Sequence, residues 1–348
     1  MLWAIHTIFP DAPIYTPIWN RQAVPAFEGC DVRTTWMQQL PGIAKTPRLY
    51  AGLYPLAFAG LKLENFDLVI SLTSSFAQGV HANGSSVHIC YCHSPANFVW
   101  RPEAYFLSPT ARSLAAPLRM WLKAWDRRAA QQPHVYVATG RPVAERVKAF
   151  YGRNAHIVAP PVERKWFVPH LKDDFYFVVA RLVPHKHVDI AIRASEQLDL
   201  PLVVAGSGRY SERLHKMAGP NVRFTGFVAD DELRDLYSRA RAVLVPSEEE
   251  FGLVALEAQA AGTPVIAFDA GGSKETVVDG VTGIRFRPQT VEGLVSGIQR
   301  FGEYTWDRGA IQANAARFDE ARFRRDLLSV IDSHLGQQAT HPWGAVRA

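Results

Sequence analysis

An alternation in the second half of the chain constrains its fold most strongly. Short apolar runs at 175–182 (FYFVVARL), 201–206 (PLVVAG), 222–227, 242–246 (AVLVP) and 264–268 (PVIAF) are separated by helical spacing at 187–198, 209–217, 230–239 and 252–261. A further helix is predicted at 290–301. Short β-branched runs that alternate with helical patterns argue for βα units and a parallel sheet. Strands separated by helices are joined by crossovers and lie parallel. The pattern therefore predicts a doubly wound α/β domain.

The first half repeats the theme less regularly. Strands are predicted at 12–19, 31–37, 67–73 (DLVISLT), 87–93 (VHICYCH), 134–139 and 156–159, with helices at 111–131 and 141–151. The stretch 159–174 (APPVERKWFVPHLKDD) has three prolines and no clean period, and it reads as a linker. The predicted division is 1–160, 161–318, and a charged helix and tail over 319–348, for which a return to the first domain is one option. At 348 residues, two domains are also what length suggests. With 48% hydrophobic and 20% charged residues, disordered and collagen-like chains are excluded.

Charge is uneven. Residues 1–160 carry 15 Lys and Arg against 8 Asp and Glu, and the remainder is slightly acidic. A basic first half suits an anionic partner: nucleic acid, a phospholipid surface or a phosphate-bearing ligand. No nucleic-acid module signature accompanies it, so nucleic acid is not an expected partner. The three cysteines, Cys30, Cys90 and Cys92, have no framework spacing, which points to a reducing compartment. No signal peptide is legible, and the best apolar stretch, 49–61, is too short to span a bilayer. A cytoplasmic location is expected.

In open parallel sheets, ligands bind beyond the C-terminal ends of the strands. Those ends lead here into Arg181, Pro184 and Lys186; into Ser247 through Gly252; into Gly271, Gly272 and Glu275; and, in the first half, into His93. Gly252 opens a helix whose free N–H groups favour an anion. Glu249 precedes that turn, and Glu257 is a lone acid on the helix among Ala and Leu. Carboxylates in those places can accept hydrogen bonds from sugar hydroxyls. Gly206 and Gly208 read as a strand-to-helix turn.

The spacing Glu249-x7-Glu257 around FGLV, then AAGTPVIA, Gly271-Gly272-x-x-Glu275 and DGVTG (279–283), resembles the retaining family-4 glycosyltransferases. ARLVPHKHVD (180–189), VVAGSG (203–208), NVRFTGFV (221–228) and ELRDLYSRARAVLVPS (232–247) extend the likeness over nearly the whole second domain. The resemblance implies the GT-B fold, two facing Rossmann-like domains with a cleft between them. It implies that Arg181 and Lys186 neutralise a nucleotide diphosphate and that Glu249 bonds the transferred sugar. Glu257 would bond the ribose, and the backbone near Phe251, Gly252 and Leu253, with Gly271 and Gly272, would hold phosphate and sugar. His93, in HICYCHSP (88–95), would be the cleft histidine. The chain has no Asp-x-Asp triplet, so no metal and no cofactor beyond the nucleotide-sugar substrate is expected.

Three further expectations concern the first half. His88, Cys90, Cys92 and His93 have ligand-type side chains, but no second cluster matches them, and buried cysteines on a core strand are the commoner case. Residues 95–128 hold six Lys and Arg and six aromatic residues, which suits either an anionic membrane surface or core packing by Trp121 and Trp125. The run 2–9 reads as the end of the family's first helix, so the opening strand and Gly-rich loop of the first domain are expected to be missing.

Together these features imply an enzyme that moves a sugar from a nucleotide-diphosphate donor to a saccharide or lipid-linked acceptor with retention. The likeness is nearest to bacterial mannosyltransferases of surface-polysaccharide synthesis, which makes GDP-mannose the expected donor. A non-catalytic nucleotide-sugar-binding protein and a GT-B nucleotide-sugar epimerase are the rival readings.

Overall fold

Alternate side chains of each strand in the second half leave on opposite faces of one parallel sheet, and each face has its own core. The computed structural model describes residues 1–44, 46–63, 65–82, 86–102, 109–163, 166 and 172–335. The chain divides into two units. One takes in Met1–Val158 and the chain from Arg324 on, the other Ala159–Phe323.

The second unit is built on six parallel strands: β9 (Tyr176–Val179), β10 (Leu202–Ala205), β11 (Val222–Gly226), β12 (Ala242–Val245), β13 (Val265–Phe268) and β14 (Gly283–Phe286). Their order is β11-β10-β9-β12-β13-β14. Phe177, Val203, Val243 and Val265 turn to one face, where the helices Asp230–Arg239 and Leu253–Ala260 cover them. Tyr176, Val178, Leu202, Val204, Leu244 and Ile266 turn to the other, beneath Val188–Gln197 and Val291–Phe301. This two-sided burial is why the strands read as unbroken apolar runs.

The five strands and five helices expected in this half are all present, most within a residue or two of their expected ends. Strand β14 and the helix Arg308–Ala316 have no counterpart among the expected elements. Residues 159–174 are more than a linker where they are described. Val162 and Trp166 are buried in the second unit's core, and the Val162 N–H donates to the Phe318 carbonyl at 2.7 Å. Residues 164–165 and 167–171 of that stretch lie outside the described residues.

The first unit holds a four-stranded parallel sheet, β4-β6-β7-β8, made of Leu68–Thr73, Val87–Cys92, Val135–Ala138 and Ala155–Ile157. Two parallel pairs accompany it: β1 (Ile14–Thr16) with β2 (Val32–Thr34), and β3 (Lys62–Leu63) with β5 (His81–Ala82). The run 2–9 contains the helix Leu2–His6. The helix expected over 111–131 is two helices, Pro109–Leu114 and Ala116–Ala129. Pro117 sits in the first turn of the second, where its missing N–H costs no hydrogen bond. Among the described residues, no helix is long and apolar enough to cross a membrane.

A buried carboxylate ties this unit together. Asp126, fully enclosed, accepts from Gln78 Nε2 at 2.5 Å, Trp100 Nε1 at 2.6 Å and the Tyr151 hydroxyl at 2.8 Å. Gln78 in turn accepts from the Thr73 hydroxyl at 2.7 Å, at the end of β4. Burial pushes the Asp126 carboxyl up from 3.8 to about 6, while the Trp100, Tyr151 and Gln78 donors pull it back. Because the folded-state value lies above the unfolded one, ionising Asp126 opposes folding as pH rises from about 4 to about 6. Asp126→Ala strips three donors of their acceptor and should cost about 3 kcal/mol or more in urea unfolding. Asp126→Asn should cost less than half as much, because a flip of the Gln78 carboxamide restores complementarity. The Asn variant should also lose the component of stability that declines across that pH window. Equal losses for the two variants would refute the assignment.

Candidate active site

Strand β9 is the point where the chain turns in opposite directions, to β10 on one side and, after a crossover, to β12 on the other. Loops leaving neighbouring strands at such a point diverge and leave a crevice. A recess of about 180 Å³ lies there, lined by the end of β9 with Arg181 and Lys186 and by the end of β12 with Ser247 and Glu249.

Lys186 and Glu249 are directly joined. The Lys186 ammonium donates to both carboxylate oxygens of Glu249 at 2.7 Å, and the Ser247 hydroxyl donates to Glu249 Oε1 at 2.5 Å. The two charged side chains are 21% and 18% exposed, so water screens the pair only in part. Lys186 ends a 3-10 turn, Pro184–Lys186, and His187 then takes a left-handed conformation (φ 50°) to start the next helix. Burial, followed by the neighbouring Lys186 and Arg181 charges, pushes His185 down to about 4, which keeps its imidazole neutral at pH 7. Arg181 is exposed at the mouth of the recess.

Backbone contacts between glycine and the β12 loop hold Glu249 in place. The Gly272 N–H donates to the Glu249 carbonyl at 2.7 Å, and Gly271 bridges Glu249 in parallel register. A Cβ on Gly272 would stand 2.0 Å from the Phe251 carbonyl oxygen, and one on Gly271 would stand 2.2 Å from that of Glu249. Gly252 then takes φ 98° and opens the helix Leu253–Ala260, which no side chain among the described residues caps. Its first N–H groups are therefore available to an anion. Phe251 itself is buried against Phe318, whereas Leu253 is exposed at the start of the helix. Gly206 and Gly208 also serve close approach. Their added Cβ atoms would meet the Ala180 and Leu182 carbonyls at 1.9 and 2.2 Å, in the loop that carries Arg181.

The structure thus brings Lys186, Glu249 and Arg181 to one recess and packs Gly271, Gly272 and the Phe251–Gly252 turn against Glu249's backbone. Glu257 has a different immediate partner: its carboxylate accepts from the Tyr237 hydroxyl at 2.9 Å. His93 belongs to the first unit, at the end of β6, where its N–H donates to the Thr73 carbonyl at 2.8 Å. Its ring lies edge-on to Tyr91, and burial pushes its imidazole down to about 4. His88, Cys90 and Cys92 are buried: His88 shares a 2.8 Å hydrogen bond with Ser71, and both cysteines pack in the core. Sequence reasoning places Ser247 at a strand end without giving it a role, and misses Tyr237. Ser247 carries a signal, as the first polar residue after β12 and two places before Glu249. Tyr237 carries none, because its partner is 20 residues away.

Gly272→Ala drives a Cβ into backbone, which no rotamer change relieves. It should cost about 2–4 kcal/mol in urea unfolding. Ser273→Ala, one residue on with its side chain on no carbonyl of this turn, should cost clearly less. Equal losses would show that the close approach is not what requires glycine.

Comparison with known proteins fits this geometry. Residues 162–317 match the family described as glycosyl transferases group 1. An uncharacterized glycosyltransferase of Methanocaldococcus jannaschii is 41% identical over 132 residues, covering 35% of this chain and 34% of that protein. A GDP-mannose-dependent alpha-(1-6)-phosphatidylinositol monomannoside mannosyltransferase of Mycobacterium tuberculosis is 34% identical over 172 residues, covering 43% of this chain and 44% of that protein. The matches thus span about a third to under half of the length of these relatives. The structure of Anabaena HepE in complex with UDP and glucose superposes with a TM-score of 0.68 at 18% identity, over 95% of both chains. The chain therefore has the GT-B fold, and its residues 162–317 match the glycosyl transferases group 1 family.

Proposed function

We propose that this protein is a nucleotide-sugar-dependent glycosyltransferase of the retaining family 4, with GDP-mannose as donor. The observation that carries this reading is the pairing of Lys186 with Glu249 at the switch point of a parallel sheet, beside an uncapped helix start. Arg181, Lys186 and the N–H groups at Leu253–Ala260 would hold the diphosphate and stabilise it as the leaving group gains charge. Glu249 would accept from hydroxyls of the transferred sugar, and Glu257, oriented by Tyr237, from the ribose. In the reaction, the bond from the anomeric carbon to the β-phosphate oxygen breaks, and the bond to the acceptor oxygen forms on the same face. The acceptor's proton passes to the departing phosphate. His93 would donate or accept a hydrogen bond at the sugar as a neutral imidazole. The acceptor is a saccharide or a lipid-linked saccharide, and the donor named for the mycobacterial relative supports the choice of GDP-mannose.

The test is a transfer assay with GDP-mannose and UDP-glucose over a panel of saccharide and polyprenyl-linked acceptors. Wild type should form product with retained configuration, and Lys186→Ala should lower transfer at least about a hundredfold while still melting as a folded protein. An epimerised donor without transfer, or donor binding with no product, would instead establish one of the two rival readings. Because His93 is already neutral above about pH 4, kcat should show no histidine titration between pH 6 and 8. A step near pH 6.5, the ordinary histidine value, that His93→Ala abolishes would overturn its assigned state.

Peripheral attachment to an anionic membrane is part of the same proposal. On the helices Pro109–Leu114 and Ala116–Ala129, Leu114 is 85%, Met120 70% and Trp121 45% exposed, beside Arg119 and Arg128. Trp125 packs on Phe76 instead, and Lys123 and Arg127 lie over the Trp100 ring. Residues 103–108 of the aromatic-basic stretch lie outside the described residues. Met120→Ser and Trp121→Ser combined should release the protein from phosphatidylglycerol vesicles, and unchanged partitioning would refute the attachment.

A further inference from the structure

We infer that the Glu249 carboxylate competes internally for Lys186, so that the site favours a nucleotide sugar over a bare nucleoside diphosphate. This rests on the reading that Lys186 receives the donor's diphosphate. Lys186 is engaged by Glu249, with one ammonium donating to both carboxylate oxygens at 2.7 Å. Two of the three ammonium N–H donors are on Glu249, so a diphosphate arriving there can take the third directly but gains a fuller hold on Lys186 at Glu249's expense. The carboxylate would then keep a single described donor, the buried Ser247 hydroxyl, on Oε1. It would also stand beside an added negative charge in a partly enclosed place.

What the diphosphate takes away, the sugar can replace. Its hydroxyls are hydrogen-bond donors, and Oε2, which Ser247 does not engage, is the acceptor left open to them. A nucleotide sugar therefore compensates Glu249 for the lysine it loses, and a nucleoside diphosphate does not. After transfer the sugar has left, the carboxylate is again uncompensated, and its return to Lys186 favours departure of the nucleoside diphosphate. Ser247 is a positioning residue in this scheme: by holding Oε1 it keeps the carboxylate aimed at both alternating partners, lysine and sugar.

The exchange makes a prediction opposite in sign to ordinary loss of a binding residue. Titration calorimetry with UDP and GDP should show Glu249→Gln binding the preferred nucleoside diphosphate about three- to tenfold more tightly than wild type, while sugar transfer is lost. Glu249→Ala should behave alike, which guards against a defect peculiar to one substitution; melting curves verify that each variant is folded. Lys186→Ala should weaken binding, and in that background Glu249→Gln should tighten it clearly less than in wild type, since only the charge repulsion remains to be relieved and the competition has no object. Ser247→Ala should reduce the ratio of nucleotide-sugar to nucleoside-diphosphate affinity by lowering the former. If Lys186→Ala weakens binding but Glu249→Gln and Glu249→Ala leave it unchanged or weaker, the competition is overturned and the lysine's role stands. If neither nucleotide binds any of the proteins, or Lys186→Ala equals wild type, the lysine's role fails and the competition fails with it.

Discussion

The contact on which the second unit's site depends is backbone laid on backbone. The loop after β13 lies so close to the loop after β12 that the Gly272 N–H meets the Glu249 carbonyl at 2.7 Å, with no room for a side chain between them. This fixes the peptide of Glu249, and with it the direction in which the carboxylate leaves the chain. It also fixes Phe251, whose buried ring anchors the turn from below, and Gly252, whose left-handed backbone starts the helix. A carboxylate facing a lysine and an uncapped helix start thus come from one constraint. The glycines here leave the two loops free to meet, because no side chain stands between them.

The same device recurs one strand over. Gly206 and Gly208 let the β10 loop lie against the carbonyls of Ala180 and Leu182, which steadies the segment that carries Arg181 and leads to Lys186. Both halves of the recess are therefore held by loop-on-loop contacts at strand ends. The two cores below, one on each face, hold the strands themselves in register. Rigid strands with glycine-spaced loops suit a site that must present several charges at set distances.

The fold of the second unit is legible because its strands are buried on both faces and so carry a compositional signature that needs no partner to interpret. Strand β14 is not, because GIRF interrupts its apolar run with Arg285, as an edge strand can. In the first unit the short pairs β1–β2 and β3–β5 carry too few residues for a period to show. Pro117 marks the helix break at Ala115, but amphipathic spacing on both sides hides it. At the site, residues near one another in sequence are readable: Ser247, Glu249 and Gly252 follow one strand. The Lys186–Glu249 bond is not, because 63 residues separate its ends and only the sheet order brings them together. Asp126 is the extreme case. Its donors come from Gln78, Trp100 and Tyr151, and no local pattern distinguishes it from the solvated acid that most helical aspartates are.

Charge asymmetry along the chain shows why net charge is a poor guide to such a site. The basic excess lies in residues 1–160, yet the recess with Arg181 and Lys186 lies in the slightly acidic half. An anion responds to the field where it sits, and that field is set by charges within roughly a Debye length, about 8–10 Å, and by the dielectric around them. Even that local field is muted here, because Glu249 offsets Lys186. The positive potential is partly latent, and it is released when something else satisfies the carboxylate. A pocket of permanently exposed cations would hold any phosphate compound passing by. One whose lysine is already paired asks a ligand to bring hydroxyls as well as phosphate, and that demand on two chemistries at once comes from three side chains on two strand ends.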